Sequence, residues 1–275
     1  MKKTIPVFIL SSGRSGTYSF FKNLKNLENL KVNHEYLFEE TLKNSVSYHM
    51  KIINEKKILE FIDKKYSLGI KKTKKFFWID SSNALPWIIK PLKNKFKNAR
   101  FVFLIRNGKK VVSSFYNKYK NVMYNKKDIL ILKKYFDKKI DNIPLDKKFW
   151  RPIPTSSKSF KYFLEKNQFS KICLYWSLIN KTIRKNLASV KRKDKFYFKL
   201  ENINKKNEFT KLLKFIGVKK RDIRKVIKKF NRPENVKKPI NFNLTINQIK
   251  DFNRYCKDEM LKNNYKLEEY YKVQY

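Results

Sequence analysis

One stretch near the N-terminus constrains the fold more than any other part of the sequence. The apolar run Val7–Leu10 is typical of a buried strand, and the glycine-bearing segment Ser11–Thr17, here called the anion loop, follows it directly. Beyond the loop, large apolar residues recur at helical spacing: Tyr18, Phe20, Phe21 and Leu24. A strand, a glycine turn and a helix start in this order can cradle an anion, because glycines let the backbone approach it and the helix dipole attracts it.

Side chains of the anion loop suit the same chemistry. Ser15 and Thr17 carry hydroxyl donors, and the guanidinium of Arg14 can bind a phosphate through two donors. The loop is not that of nucleoside triphosphatases, G-x-x-x-x-G-K-[ST], because its glycines are three apart and no Lys-Ser/Thr pair follows the second one. A capped turn that binds nothing would have a similar sequence, and this alternative stays open on the loop alone.

Apolar segments alternate with helical patterns along the rest of the chain. Further strands are expected at 30–36, 76–80, 100–106 and 196–201. Helices are expected at 39–66, 85–96, 109–120, 168–190, 209–217 and 244–263. This alternation predicts an α/β fold with three layers, α/β/α, around a central parallel sheet. Ligands of such sheets bind outside the carboxyl ends of the strands, where we expect the anion loop, Glu35, Asp80 and Arg106.

A chain of 275 residues with 41% hydrophobic residues can bury one α/β core, so we expect a single domain over 1–275. At about 117–165 the pattern gives way to Lys, Asn, Tyr and Asp. This segment is predicted to be an irregular cap or acceptor-binding insertion, and a solvated excursion is an equally good interpretation.

Targeting and cysteine patterns indicate a soluble, cytoplasmic protein. The sequence contains no apolar run near the roughly 18 residues that cross a bilayer, and its first residues lack a secretory cleavage pattern. Cys173 and Cys256 are far apart and lack metal-ligand neighbours, which favours buried thiols over a disulfide.

The formal net charge of +44 invites a polyanion as partner. The abundance of Lys, Asn, Ile, Phe and Tyr beside scarce Gly and Pro has a second explanation, an A/T-biased coding sequence. The lysines are scattered along the whole chain, which favours compositional drift with a general affinity for anionic substrates. A selected polyanion partner is the alternative.

A second motif follows the clearest strand, which ends in Arg106. After the turn Asn107-Gly108, Ser114 stands eight positions beyond the arginine and about two helical turns along. An arginine at the strand edge and a serine in the next helix could both bind one phosphate. Two phosphate sites at one edge suit a nucleotide phosphorylated at its 5′ and 3′ positions.

Both motifs resemble those of the sulfotransferases that use 3′-phosphoadenosine 5′-phosphosulfate (PAPS). The resemblance implies a P-loop-NTPase-like sulfotransferase fold and a PAPS site without metal, with 3′-phosphoadenosine 5′-phosphate (PAP) as product. The residues that it assigns to the 5′-phosphosulfate are Ser12, Gly13, Arg14, Ser15, Gly16, Thr17 and Tyr18. Arg106 and Ser114 are assigned to the 3′-phosphate. Lys237 and Lys238 lie where the family has a basic loop, although the usual Arg-Lys-Gly is missing.

The resemblance also implies a catalytic base. Glu35 lies about 20 residues after Arg14, as a catalytic glutamate does in the protein-tyrosine branch of the family, and His34 is the second candidate. Both could instead be structural loop residues. Other branches use a histidine or lysine after the third strand. The segment Asp80-Ser81-Ser82 has neither, so Arg14, Ser114 or a lysine from elsewhere in the chain would stabilise the leaving group.

The expected activity is sulfuryl transfer from PAPS to a hydroxyl acceptor, a carbohydrate or glycolipid that is already acidic, with no specific nucleic-acid partner. A nucleotide-dependent phosphotransferase is one alternative, although the loop lacks its lysine. A nucleic-acid-binding protein that acts through charge is the other.

Overall fold

The computed structural model describes residues 3–119, 122–140, 151–154, 156–230, 242–267 and 272–273. The chain divides into two units, Met1–Arg106 with Thr182–Lys237 and Asn107–Lys181 with Lys238–Tyr275. The single domain expected over 1–275 stays a prediction.

Regular elements cover most of the described residues. The strands are β1 Ile5–Leu10, β2 Leu30–His34, β3 Phe77–Ser82, β4 Arg100–Ile105, β5 Lys195–Lys199, β6 Phe242–Asn243 and β7 Lys272–Val273. The helices are α1 Thr17–Leu24, α2 Phe38–His49, α3 Glu55–Phe61, α4 Leu68–Lys71, α5 Ile89–Lys95, α6 Gly108–Lys118, α7 Lys126–Phe136, α8 Ser157–Leu164, α9 Gln168–Ala188, α10 Lys206–Phe215, α11 Lys220–Phe230 and α12 Ile246–Lys262. A π-helical turn, Ile62–Ser67, separates α3 from α4, and short 3₁₀ turns lie at Leu85–Ile88, Arg192–Asp194 and Leu200–Asn204.

The first unit contains a five-stranded parallel sheet in the order β2-β3-β1-β4-β5. Its strands begin and end within two residues of the predicted bounds. The chain leaves β1 toward β2 and leaves β4 toward β5, so the connections after these two neighbouring strands run in opposite directions. Such a switch point opens a crevice at the carboxyl edge of the sheet. The anion loop follows β1 and Arg106 follows β4, so both lie at this crevice.

Helices α1, α10 and α11 cover one face of the sheet. Val7, Ile9, Val102 and Leu104 are fully buried in the core beneath them. The spacing of α11 is amphipathic, since Ile223, Val226 and Phe230 are buried while the positions between them are not. This helix was not among those predicted from the sequence.

The opposite face packs against the π-helical turn and the segment after α5. Phe8 of β1 lies against Tyr66, Trp78 and Phe96, with ring centres 6.0–6.2 Å apart. Side chains of alternate residues of β1 thus enter different cores, because successive side chains of a strand point to opposite faces of the sheet. The predicted α/β fold with three layers is confirmed.

The second unit contains α6, α7, α8, the first part of α9, α12 and the antiparallel pair β6–β7. Trp176 and Phe252 are fully buried in its core, with ring centres 6.4 Å apart. Cys173 and Cys256 are buried free thiols, and the Cys256 Sγ lies 3.4 Å from the carbonyl oxygen of Cys173. The expectation of buried thiols is confirmed.

The segment at about 117–165, predicted to be irregular, instead contains α7 and α8 in its described part. Asn125 and Ser156 cap these helices by accepting hydrogen bonds from the amides of Asp128 and Ser159. Phe136 and Phe160 stack with ring centres 4.1 Å apart. The prediction was wrong because abundant lysine and asparagine obscured the apolar periodicity. Whether the segment is a cap or acceptor-binding insertion stays a prediction.

Neither a membrane span nor a metal cluster occurs among the described residues. None of the described helices is long and apolar enough to cross a membrane. Within the described ranges, no three histidine, cysteine or acidic side chains are grouped so that they could hold a metal ion.

Candidate functional site

The anion loop turns sharply through three residues with left-handed backbone. Gly13 has φ 81°, Arg14 φ 56° and Gly16 φ 80°. Glycine adopts this region without strain, whereas arginine requires support from its surroundings. At Gly16 a side chain would also meet a neighbour, since a Cβ atom there would lie 2.8 Å from the Cδ1 of Leu200. The pattern of glycines in the sequence therefore has a physical cause in the backbone path.

Serine hydroxyls hold the loop from within. The amide of Gly13 donates to the Oγ of Ser11 at 3.1 Å, and the Oγ of Ser15 donates to the carbonyl oxygen of Gly13 at 3.0 Å. The Oγ of Ser12 lies 3.3 Å from that same carbonyl. All three serines are buried, so their hydroxyls fix the loop from the protein side.

Helix α1 begins directly after the loop. Its N-cap residue, Gly16, has no side chain that could accept a hydrogen bond from the first turn. The first amides of a helix lack intrahelical acceptors and carry the positive end of the helix dipole. Thr17, the first residue of α1, is buried, and Tyr18 beside it is exposed. An anion at the loop would therefore meet backbone donors as well as Arg14.

A hydrogen bond joins the two predicted phosphate motifs. The Nη1 of Arg106 donates to the carbonyl oxygen of Arg14 at 2.9 Å. It supports the left-handed conformation of Arg14 from the neighbouring strand end. A guanidinium has five N–H donors, so this bond uses only part of the donor capacity of Arg106.

The two candidate bases stand at the carboxyl end of β2, at the same edge of the sheet. Glu35 has φ 57°, Leu37 has φ 47°, and the amide of Glu35 donates to the carbonyl oxygen of Ser81 at 3.0 Å. Two left-handed non-glycine residues within three positions are costly and need support from neighbouring groups.

His34 is held by β3. Its Nδ1 lies 3.0 Å from the carbonyl oxygen of Ser81, which can only accept, so we assign the ring proton to Nδ1 and the lone pair to Nε2. Burial lowers the pKa of His34 below its ordinary value, and the hydrogen bond to Ser81 opposes this shift. The ring also lies edge-on to Tyr18, with centres 5.6 Å apart. A neutral histidine with a lone pair on Nε2 is chemically able to accept a proton.

A buried hydrogen-bonded cluster supports the turn after β2. The amide of Tyr36 donates to the Oδ1 of Asp80 at 3.1 Å, and the hydroxyl of Tyr66 donates to the Oδ2 at 3.4 Å. The hydroxyl of Thr41 donates to the carbonyl oxygen of Tyr36 at 2.9 Å and lies 3.2 Å from the hydroxyl of Tyr66. Asp80 thus contacts the residue next to Glu35 on one side and the π-helical turn on the other.

Asp80 is fully buried, and burial raises its pKa to about 7. The hydrogen bonds from Tyr36 and Tyr66 oppose this shift, and the charge of Glu35 adds to it. The sequence predicts Asp80 at the strand edge. The structure corrects this, because β3 continues for two residues to Ser82 and Asp80 is enclosed.

Other residues predicted from the sequence lie in the second unit or outside the described residues. Ser114 is buried in α6 of the second unit. Lys237 and Lys238 lie outside the described residues. The binding roles of all the predicted residues stay predictions.

Sequence reasoning missed two buried polar residues that the structure reveals. Tyr66 contacts Asp80 from the π-helical turn. The available signal was Asp80 itself, because an aspartate directly after the apolar run Phe76–Ile79 would be buried and would need a hydrogen-bonding partner. Lys109 is buried in the second unit with its Nζ 5.9 Å from the ring centre of Phe252. In a lysine-rich chain nothing in the sequence marked that lysine.

Comparisons with known proteins gave structural matches only. No family model matches the sequence, and no curated protein matches it. The sulfotransferase domain from the curacin biosynthetic pathway has a TM-score of 0.46 at 16% identity, over 80% of this chain and 76% of that one. The sulfotransferase domain from the Synechococcus PCC 7002 olefin synthase has a TM-score of 0.48 at 14% identity, over 81% and 77%.

A third solved structure is similar over almost the whole of both chains. The sulfotransferase from Alicyclobacillus acidocaldarius covers 95% of this chain and 96% of its own, with a TM-score of 0.51 at 11% identity. Its similarity agrees with an α/β fold in which helices flank a central five-stranded parallel sheet. The protein therefore has the sulfotransferase fold.

Proposed function

We propose that the protein is a PAPS-dependent sulfotransferase that transfers a sulfuryl group to a hydroxyl of a carbohydrate or glycolipid. The hydrogen bond from Arg106 to the carbonyl oxygen of Arg14 carries this proposal. This hydrogen bond makes Arg106 a neighbour of the anion loop at the switch point between β1 and β4. A donor with phosphates at its 5′ and 3′ positions needs two anion-binding groups side by side, whereas AMP needs only one.

The chemistry of the loop suits such a donor. The uncapped start of α1 and the left-handed turn at Gly13, Arg14 and Gly16 supply backbone donors and a guanidinium to one anion. PAPS supplies an activated sulfuryl group attached to its 5′-phosphate. The Arg14 guanidinium and the amides of α1 would stabilise the negative charge that the phosphate oxygen gains as its bond to sulfur breaks.

Glu35 is the proposed base. Its carboxylate would accept the proton of the acceptor hydroxyl while that oxygen forms the new bond to sulfur. The buried cluster of Asp80, Tyr66 and Thr41 would hold the turn that carries Glu35, so the base would be positioned before the acceptor binds. His34, with its lone pair on Nε2, is the alternative base.

The remaining assignments belong to the same proposal. Ser114, Lys237 and Lys238 are proposed to bind the 3′-phosphate, and no metal takes part. An already acidic acceptor suits the formal charge of +44. The cytoplasmic location stays a prediction.

Calorimetric titration with PAP at moderately high salt tests the donor site, with AMP and ATP as controls. Salt is needed because a chain of this charge binds any polyanion loosely. We expect PAP to bind far more tightly than AMP, and we expect Arg106→Ala to abolish that preference. Equal, weak and salt-sensitive binding of all three nucleotides would refute the proposal, and a preference for ATP would favour the phosphotransferase.

A further inference from the structure

The exposed face of α11 carries two rows of cations. Lys220, Arg224 and Lys228 form one row at intervals of four residues, and the second row, shifted by one position, consists of Arg221, Lys225 and Lys229. All six side chains are exposed. At 1.5 Å per residue the rows extend for roughly 14 Å. Residues four apart on a helix are neighbours, so like charges repel along each row.

Few carboxylates offset these charges. Arg221 pairs with Glu28 at 2.9 Å and approaches Asp222 at 4.0 Å. Within the described part of the chain, the other five cations of the two rows make no ion pair. The face therefore keeps a dense positive field that an external anion would relieve.

Helix α11 runs antiparallel to α1 and ends beside the anion loop. Near its start, Lys219 and Arg221 reach Glu28, which lies just beyond the C-terminal end of α1. At its end, Phe230 packs against Phe20 in the first turn of α1, with ring centres 5.0 Å apart. The two rows thus lead along the helical layer toward the residues proposed to bind the sulfuryl donor.

We propose that α11 is the docking surface for a linear acidic polysaccharide, which is the acceptor of the transfer. This inference rests on the proposed sulfotransferase activity and specifies its substrate class. Regularly spaced cations match a chain with repeated negative groups, whereas a lipid headgroup or a single sugar would meet only one or two of them. The exposed positions of α11 carry no aromatic or large apolar side chain, so the face offers neither base stacking nor membrane insertion.

Two charge-matched variants of the full chain test the inference. Lys220→Gln/Arg224→Gln/Lys228→Gln removes one row, and Lys43→Gln/Lys56→Gln/Lys64→Gln removes three exposed lysines outside α11. Both lower the formal charge of +44 by three. Glutamine has nearly the helix propensity of lysine, so both variants should keep their helices.

Binding of a fluorescent heparin dodecasaccharide is measured by anisotropy over a range of salt concentrations. We expect the α11 variant to bind at least about tenfold more weakly at physiological salt, with a shallower dependence on salt, and the control variant to stay close to wild type. Equal weakening of the two variants would overturn the inference, because general charge would then explain the binding. Tighter binding of single-stranded oligothymidine, or of phosphatidylserine vesicles, with the same dependence on α11 would overturn it in favour of that partner.

PAP titration of the same proteins separates this inference from the proposed function. The α11 variant should bind PAP as wild type does, because the altered side chains lie outside the anion loop. If PAP binds normally but the α11 variant and the control variant lose heparin affinity equally, the docking inference alone fails. If wild type does not bind PAP, the proposed activity fails, whatever the heparin affinities of the variants are.

Discussion

The carboxylate of Asp80 accepts a hydrogen bond from the amide of Tyr36 at 3.1 Å, and this contact joins the buried end of β3 to the turn that carries Glu35. The turn contains two strained residues, Glu35 and Leu37, so a fixed acceptor beneath it has a clear structural role. A burial-raised pKa of about 7 makes this acceptor sensitive to pH near neutrality.

Stability should depend on the protonation of Asp80. The folded protein keeps the Asp80 proton up to about pH 7, whereas the unfolded chain loses it near the ordinary aspartate pKa of 3.8. The raised pKa therefore contributes stability fully below the unfolded value, and this contribution is lost as pH rises through 7.

We expect Asp80→Asn to remove up to about 1.4 kcal/mol per pH unit from the slope of the unfolding free energy, because the amide does not titrate. Its oxygen can still accept from the amide of Tyr36, while its NH₂ group would donate to the Tyr66 hydroxyl and so reverse that hydrogen bond. Urea denaturation of wild type and Asp80→Asn between pH 4 and 8 measures this slope. Identical slopes would show that Asp80 does not titrate in this range.

Glu35→Gln should separate binding from turnover. Loss of a general base lowers the rate by about 10² to 10⁴, while the amide keeps the size of the side chain. We expect PAP affinity to stay within about twofold of wild type and sulfuryl transfer to fall by at least about 100-fold. His34→Gln is the matched control with a smaller expected loss. A reversed order of the two losses would assign the base to His34, and normal turnover in both would reject both assignments.

Arg106→Lys should weaken PAP binding although it keeps the charge. Lysine lacks the planar fork and cannot hold both the carbonyl of Arg14 and a phosphate in one geometry. We expect a loss of at least about tenfold, which is roughly 1.4 kcal/mol. Arg100→Lys is the control, since Arg100 lies at the other end of β4 and donates to the carbonyl oxygen of Phe215. Equal losses in the two variants would show that the position of Arg106 is not special.

Gly16→Ala should destabilise the anion loop. A non-glycine residue with φ near 80° costs about 1 to 2 kcal/mol, and the added Cβ meets Leu200. Thermal unfolding should show a lower midpoint, and calorimetry should show weaker PAP binding. Adding Leu200→Ala removes the contact but leaves the backbone strain, so it should restore only part of the binding. Full restoration of PAP binding would mean that the backbone strain at position 16 has no effect on binding.

Local patterns in the sequence predicted the backbone of the anion loop and the strand that ends before Arg106. The glycines at positions 13 and 16 specify the left-handed turn, and Arg106 follows the strand that the sequence predicts most clearly. Prediction failed for α7, α8 and α11, where lysine and asparagine dilute the apolar spacing. It also failed for Tyr66, because its contact with Asp80 joins residues 14 positions apart through a π-helical turn, and no local pattern marks this contact.

The sequence by itself determined the α/β alternation, the loop after β1 and the arginine after β4, because these features depend on local backbone preference and on apolar spacing. Tertiary structure alone decided the strand order, which makes β1 and β4 neighbours and brings Arg106 to Arg14. It also decided the burial of Asp80 and the alignment of α11 with α1. These relationships join residues distant in the chain, and the packing of the sheet and its helices fixes them.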